Sequence, residues 1–383
     1  MGEPTDEMDQ LCDALGVSDR TTVRMISREP LGGGSVAGFE VAADNGVMTY
    51  YLDTSRRRVP RETGLLLGAP DDPDIRVWLH PADPHLPALA PAAFSGAVRE
   101  LLVRLGIVDT GDPVMVAYRP GRRAVLRVPS PREDVWVKVV RPARVAAIVA
   151  CHSAFADAGI PVPRLYGWSG DGLIIGETAR GTAATDAEWD ADELLDEVDG
   201  LRHRIAGVDL ANPATTRLAR RLDWYSERLA VQLPHLQAER AQRIAERARD
   251  AWGEDPPVTI HGDLHFGQLF LGDDRTVSGI IDVDTAGVGQ PSEDTAAFLA
   301  HAVASALLTP HPRDDRVWHL AQRSLARWGS AAVCARAAVH LLGHALGACE
   351  LGAAARVDRL LDVAHAVSVS DASELAAVRA ART

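Results

Sequence analysis

Two short segments concentrate the side chains able to do chemistry. The first, VTIHGDLHFGQLFL (residues 258–271), carries Asp263 behind His261 and Gly262, with Gln268 five residues on. The second, SGIIDVDTAG (278–287), carries Asp282 and Asp284. Each polar group follows a run of apolar, largely β-branched residues, so the spacing predicts strands that deliver carboxylates into loops. Two carboxylates at the ends of adjacent strands can converge on one point. Phosphoryl transfer suits such a pair: one carboxylate orients and deprotonates an attacking hydroxyl, while an oxygen cluster holds magnesium on nucleotide phosphates.

The elements that must position these groups follow from patterning. From Thr21 to about His80, β-type runs (TVRMI, GFEVAA, VMTYYLDTS, IRVWLH) alternate with Gly, Asp and Pro turns, and a helix is predicted from about Ala93 to Leu105. Three strands follow as a meander: VMVAYR (114–119), AVLRV (124–128) and VWVKVV (135–140). A helix over about 143–158 and a strand over GLIIGETA (172–179) complete a small α+β lobe. Beyond Asp186 the pattern is helical, including a long Arg/Ala/Glu-rich run from Thr215 to Ala251. Only the islands Val258–Leu271 and Val277–Val283 read as strand.

Composition narrows the function. The net charge of −13 argues against sequence-independent binding to nucleic acid or to an anionic membrane. The four cysteines, Cys12, Cys151, Cys334 and Cys349, show no paired spacing, which argues against a disulfide framework or a zinc site. The first ten residues lack an apolar signal region, and the longest apolar stretches are too short or are broken by Arg336, His340, His344 and Glu350. The expectation is a cytoplasmic protein. One count stands out: of 40 basic residues 39 are arginine, and the single lysine is Lys138, in VWVKVV. A lysine is a compact point charge and an arginine a bulkier fork, so the two are not equivalent inside a phosphate pocket. Lys138 is either a solvated strand residue or a phosphate contact, and its uniqueness favours the second.

HGDLHFGQ resembles the HGDxxxxN catalytic loop of the aminoglycoside phosphotransferase family, and IDVDTAG with GQPSEDTA is similar to that family's metal-binding strand and its trailing GDPxxDLA segment. The resemblance runs from Val114 to the carboxyl terminus. It implies an α+β, protein-kinase-like two-lobed fold: an N-terminal cap subdomain over 1–108, a small nucleotide-binding lobe over 109–180 and a helical lobe over 181–383. It makes Asp263 the catalytic base and Gln268 and Asp282 magnesium ligands, with Asp284 a further ligand, and it puts Lys138 on the nucleotide phosphates. Gly176, Glu177, Ala179 and Arg122 are the other expected nucleotide contacts. Mg2+ and ATP are the implied cofactor and co-substrate, and a monomer or weak dimer is the expected assembly.

Several features depart from the family pattern. Gln268 replaces asparagine, as in maltokinase-like members, which are also similar in having an N-terminal cap. The helix after Lys138 has no glutamate to pair with it, and the first hairpin turn is PGRR instead of glycine-rich, so Arg122 and Arg123 either reach phosphate or sit on an exposed tip. The run LGGGS around Gly32–Gly34 lies too early to cover a nucleotide and reads as a turn. His340 and His344 form HLLGH, which lacks the glutamate of a zinc protease, and they read as buried helix histidines. Acceptor contacts are expected from Asp263, His265, Gln290, Glu293 and Asp294, with Asp294 alternatively capping the next helix. Trp318 and Glu350 are expected to offer an aromatic face and a buried carboxylate. The whole pattern looks most similar to actinobacterial glucosamine kinases, which implies glucosamine as the amino-sugar acceptor. An aminoglycoside, a maltose-type sugar, or a nucleotide-binding pseudokinase without turnover are the alternatives.

Overall fold

The computed structural model describes residues 4–43, 46–69, 72–215 and 218–380, and the chain forms two compact units. The first comprises residues 1–149 and 164–178. It opens with α1 (Pro4–Leu15) and five strands: β1 (Val23–Leu31), β2 (Gly34–Ala43), β3 (Gly46–Asp53), β4 (Leu65–Ala69) and β5 (Asp72–Leu79). These make an antiparallel sheet in the order β1-β2-β3-β5-β4. Leu11 and Cys12 of α1 pack on Val23, Phe39, Leu52 and Val77, which gives this sheet its own apolar core.

Two helices, α2 (Leu89–Ala93) and α3 (Ser95–Arg104), lead to a second sheet in the same unit. Its strands are β6 (Val114–Arg119), β7 (Arg123–Val128), β8 (Val135–Val140), β9 (Leu165–Ser169) and β10 (Leu173–Gly176), with α4 (Val145–Asp157) between β8 and β9. The order is β6-β7-β8-β10-β9, antiparallel throughout, so the predicted meander forms with its predicted boundaries to within a residue. On β8, Val135, Val137 and Val139 are buried in a core shared with Leu89, Val98 and Leu102. Side chains alternate across a strand, so Trp136 and Lys138 stand on the opposite face. Lys138 is half-buried, opposite Val125 of β7 and Ile174 of β10. The strand expected over 172–179 stops at Gly176, leaving Glu177 and Ala179 beyond it.

The second unit, residues 150–163 and 179–383, is mainly helical. Its elements are β11 (Thr182–Ala183), α5 (Ala191–Ala206), α6 (Leu218–Gln232), α7 (His235–Asp250), β12 (Val258–Ile260), β13 (Leu269–Leu271), β14 (Val277–Ile280) and β15 (Gly287–Gly289). The chain then continues through α8 (Pro291–Leu308), α9 (Asp314–Trp328), α10 (Ala331–Glu350), α11 (Ala354–Ser368) and α12 (Ala372–Ala380). The long basic run is two helices, because Pro234 cannot continue a helix and disfavours helical backbone at Leu233. Helix α8 is apolar on nearly every side, and thirteen of its residues are buried, so it forms the centre of this unit. Its start fits the N-terminal preference for proline, with Pro291 in the first turn. Among the described residues α10 alone is long and apolar enough to cross a membrane, but most of it is buried in this core. Its Arg336 is fully buried and donates to the carbonyls of Trp252, Gly253 and Ala332. Those bonds and the Trp252 ring, 4.6 Å from the guanidinium carbon, compensate a charge that would otherwise be costly to bury.

The strands carrying the carboxylates are not neighbours in one ladder, contrary to the sequence-based expectation. β12 pairs with β15, whereas β14 pairs with β13, which also carries β11. β12 and β15 have three residues each and β14 has four, too short for apolar patterning to specify partners.

Candidate active site

The loop after β12 is pinned at its backbone before it reaches Asp263. The N–H groups of His261 and Gly262 donate to Asp294 Oδ2 and Oδ1 at 2.9 and 2.7 Å. Asp294 lies in the first turn of α8 and is 2% exposed, so these bonds are shielded from water and one of their partners is charged. The carbonyl of His261 accepts from Thr285 Oγ1 at 2.9 Å, and its Nε2 lies 3.2 Å from the carbonyl of Ile281. Gly262 has φ +85°, a left-handed conformation that a side chain would strain. These contacts present Asp263, whose side chain is 38% exposed.

The 281–285 segment is joined to the same loop. Ile281 N–H donates to the carbonyl of Gln268 at 3.1 Å, and Ile281 is followed directly by Asp282. Asp282 has φ +64° and ψ +39°, a left-handed conformation uncommon outside glycine and tolerated best by Asp and Asn. Such backbone persists where its surroundings enforce it, as the Ile281 contacts do here. Asp284 follows in a single 3-10 turn, Val283–Thr285. The Cys151 thiol donates to the carbonyl of Val283 at 3.6 Å and is pushed up to about 12, by burial first and by Asp284 second, so it is not a nucleophile.

Gln268 is 4% exposed, and its Oε1 is a buried oxygen with no hydrogen-bond partner. A polar atom in that condition costs free energy unless something binds it. An amide oxygen and two carboxylates make a hard, all-oxygen donor set of the kind magnesium takes. Gln268, Asp282 and Asp284 therefore fit a magnesium ion by chemistry, and the unsatisfied Oε1 is the observation that supports it.

Beside Asp263 stands a cluster of four imidazoles. His265 stacks on His301 of α8 at 4.3 Å between ring centroids, and His301 meets His344 and His340 of α10 at 5.0 and 6.2 Å. The Nε2 of His301 is 3.8 Å from Asp263 Oδ1. Burial lowers His265 to about 4 and His340 to about 3, and holds His301 well below its ordinary value. Repulsion among the rings acts in the same direction, as do Arg221 on His340 and Arg356 on His344. All four are neutral near pH 7. His340 and His344 lie on α10 as the sequence suggested, but they are half-buried instead of buried, because both rings turn towards His301.

A family model described as the phosphotransferase enzyme family matches residues 114–328, more than half of the chain. The chain belongs to the phosphotransferase enzyme family. No match to a curated protein was found. Among solved structures, the apo form of a thermostable mutant of aminoglycoside phosphotransferase APH(4)-Ia superposes with a TM-score of 0.53 at 14% identity, covering 70% of this chain and 97% of the other. A ternary complex of that thermostable mutant with ADP and hygromycin B gives 0.52 at 12% identity over 72% and 98% of the chains. Spectinomycin phosphotransferase APH(9)-Ia, in complex with ADP and spectinomycin, gives 0.50 at 11% over 72% and 98%. At these identities the likeness is one of fold. The phosphotransferase thus has the expected kinase-like α+β fold, with a sheet-rich unit and a helical unit.

Some of the other residues expected in the phosphotransferase's site are engaged elsewhere. Arg122, expected on nucleotide phosphate, donates through Nη2 to the carbonyl of Pro30, and its Nε lies 3.7 Å from Glu29, so the first sheet engages its guanidinium. The turn it belongs to is held from the same side: buried Asp83 accepts from Gly121 N–H at 2.8 Å and from the Tyr118 hydroxyl at 2.9 Å. Trp318 is fully buried on the apolar face of α9 with Val317, Leu320 and Ala321, which leaves no ring face for a ligand. Glu350 ends α10 on the surface, 3.8 Å from Arg228, and is not a buried carboxylate. Asp294 has both oxygens on the backbone of the loop that carries Asp263, so it positions that loop instead of capping only its own helix. Gln290 gives its side-chain oxygen to Asp255 N–H at 2.7 Å, while Glu293 stays half-buried near Arg336. In the other unit, Gly176 is buried at the end of β10 and Glu177 pairs with Arg164 at 2.8 Å, while Ala179, the first residue of the second unit's main segment, is 6% exposed. His301 and Thr285 were not anticipated: Thr285 lies within IDVDTAG but its hydroxyl was given no role, and only a lone histidine in the apolar run AAFLAHAVASALL could have drawn notice to His301.

Proposed function

We propose that this phosphotransferase moves the γ-phosphate of ATP to a hydroxyl of an amino sugar, glucosamine going to glucosamine 6-phosphate. The observation that carries the reading is the pairing of a half-exposed Asp263 on a backbone-pinned loop with a buried, unpartnered Gln268 oxygen next to the Asp282 turn. Asp263 orients the acceptor hydroxyl and takes its proton; the hydroxyl oxygen bonds to the γ-phosphorus, and the bond to the bridging oxygen breaks to release ADP. Gln268, Asp282 and Asp284 hold magnesium, which when bound neutralises charge on the phosphates. Lys138 contacts the nucleotide phosphates, and the backbone around Gly176, Glu177 and Ala179 receives the nucleotide. His265, Gln290 and Glu293 lie on the acceptor side.

ATP as donor is supported by the ADP named in two of the structures of similar fold, and the amino sugar by the HGDLHFGQ resemblance. A polycationic aminoglycoside would need an acidic pocket, whereas the groups beside Asp263 are neutral imidazoles, with Arg221 acting on His340, Arg356 on His344 and Asp282 on His265. That favours the smaller acceptor. We assign residues 1–108 to a cap, 109–180 to nucleotide binding and 181–383 to chemistry and acceptor, in a cytoplasmic monomer or weak dimer. The test is ADP release with ATP and magnesium over glucosamine, maltose and kanamycin. Turnover of maltose or kanamycin in place of glucosamine would reject the amino sugar and keep the kinase, and bound ADP without turnover of any acceptor would mark a pseudokinase.

A further inference from the structure

Asp263 and His301 are close but not bonded to each other. At 3.8 Å, the Nε2 to Oδ1 separation is too long for a direct hydrogen bond, yet one oxygen placed about 2.8 Å from each atom would satisfy both. Both groups are partly exposed, at 38% and 24%, so neither is sealed in the core. Helix α8 fixes the relationship. Asp294 and His301 are seven residues apart, two turns on one face, and the first holds the loop at His261 and Gly262 while the second faces Asp263. Behind His301 stand the rings of His340 and His344, with Arg221 acting on the first and Arg356 on the second, while the carboxylates next to the cluster are Asp263 at His301 and Asp282 at His265.

We infer that His301 contacts the acceptor, and that the imidazole wall it forms with His265, His340 and His344 selects a compact hydroxylated acceptor with at most one positive charge over a polycation. This rests on Asp263 being the base. The hydroxyl that Asp263 deprotonates sits between the two side chains and hydrogen-bonds to His301. A neutral imidazole supplies one donor and one acceptor nitrogen, which suits hydroxyl groups and a single amine. The wall itself is made of imidazoles, and in this reading Asp263 and Asp282 beside it serve as base and metal ligand, so several ammonium groups would be left without a counter-charge on it and would be repelled by the two arginines.

The test compares wild type, His301→Phe and His301→Asn with glucosamine, maltose and kanamycin, measuring acceptor KM, kcat and ADP affinity separately. His301→Phe keeps the ring packing and removes the nitrogens, so the KM for the preferred sugar rises about tenfold or more while ADP affinity stays within about twofold. His301→Asn, which keeps a donor and an acceptor, recovers part of that loss. In wild type, kcat/KM for kanamycin is at least about a hundredfold below that for the preferred sugar. An unchanged sugar KM in His301→Phe, or kanamycin turned over as well as the sugar, overturns the inference and leaves the kinase reading intact. Wild type inert toward all three acceptors removes the kinase reading and this inference with it. If the variants fail to fold, carbethoxylation of wild-type His301, mapped by mass spectrometry, decides: saturating glucosamine protects the ring, and equal labelling with and without it contradicts the proposal.

Discussion

Asp294 accepts the backbone N–H groups of His261 and Gly262 on its two carboxylate oxygens, at 2.9 and 2.7 Å, immediately ahead of Asp263. A helix in the centre of the core thereby sets the position of a loop that ends in a half-exposed carboxylate. The consequence is mechanistic as well as structural. Removing Asp294 strands two buried donors, and Asp294→Ala is expected to lose roughly 3 kcal/mol of stability, with a kcat deficit that persists at temperatures where the variant is fully folded. Thermal unfolding alongside kinetics checks it. Normal kcat in a folded Asp294→Ala would show that the loop needs no anchor.

Gln268 offers a second test. Its unpartnered Oε1 is read as a magnesium ligand, so Gln268→Ala raises the magnesium concentration needed for half-maximal rate by about tenfold or more, while Gln268→Asn, the residue usual in the family's loop, loses less. A magnesium titration at saturating ATP measures both. Identical titrations for wild type and Gln268→Ala would remove Gln268 from the metal site.

Lys138 is the chain's sole lysine, on the face of β8 opposite the apolar core. Lys138→Arg keeps the charge and changes its shape, and is expected to raise the KM for ATP or lower kcat by about tenfold or more. Initial rates over an ATP series read this directly. Wild-type kinetics in the variant would return Lys138 to the role of a solvated strand residue.

The histidine cluster makes stability depend on pH. His301, His340 and His344 are depressed first by burial; neighbouring imidazoles add to this for His301 and His340, Arg221 for His340 and Arg356 for His344, with Asp263 the carboxylate near His301. Below their ordinary value of 6.5 the unfolded chain takes up protons that the folded chain refuses, so the folded state loses stability as pH falls from about 6.5 towards the value near 3 held by His340. Thermal melts from pH 7.5 to 5 should show Tm falling with pH, with a shallower slope in His340→Gln. A Tm that is flat or rises on acidification would mean the rings are not held neutral.

How much of this was legible in the sequence varies with the length scale of the cause. The strands VMVAYR, AVLRV and VWVKVV form where their β-branched content and intervening turns put them, because local propensity and apolar alternation act over a few residues. The carboxylate loops were visible because Asp263, Gln268, Asp282 and Asp284 keep fixed spacing. What a chain position does across the fold was not: Asp294 reads equally as a cap or an acceptor contact until its partners 32 and 33 residues away are seen. Arg122 reads as a phosphate ligand until Pro30 and Glu29 appear beside it. Trp318 and Glu350 were misplaced because helical patterning says which face is apolar and not how deeply a residue on it lies. His301 gains meaning only when α8 and α10 pack together.

The central claim is that Asp263 is the base of a phosphoryl transfer, and the most direct measurement is phosphate transfer from ATP to glucosamine by wild type and by Asp263→Asn at matched ADP affinity. The account predicts measurable turnover in wild type and a fall of roughly 10²–10⁴-fold in kcat in the variant, with ADP bound about as tightly. Phosphorylation by Asp263→Asn at the wild-type rate would contradict it.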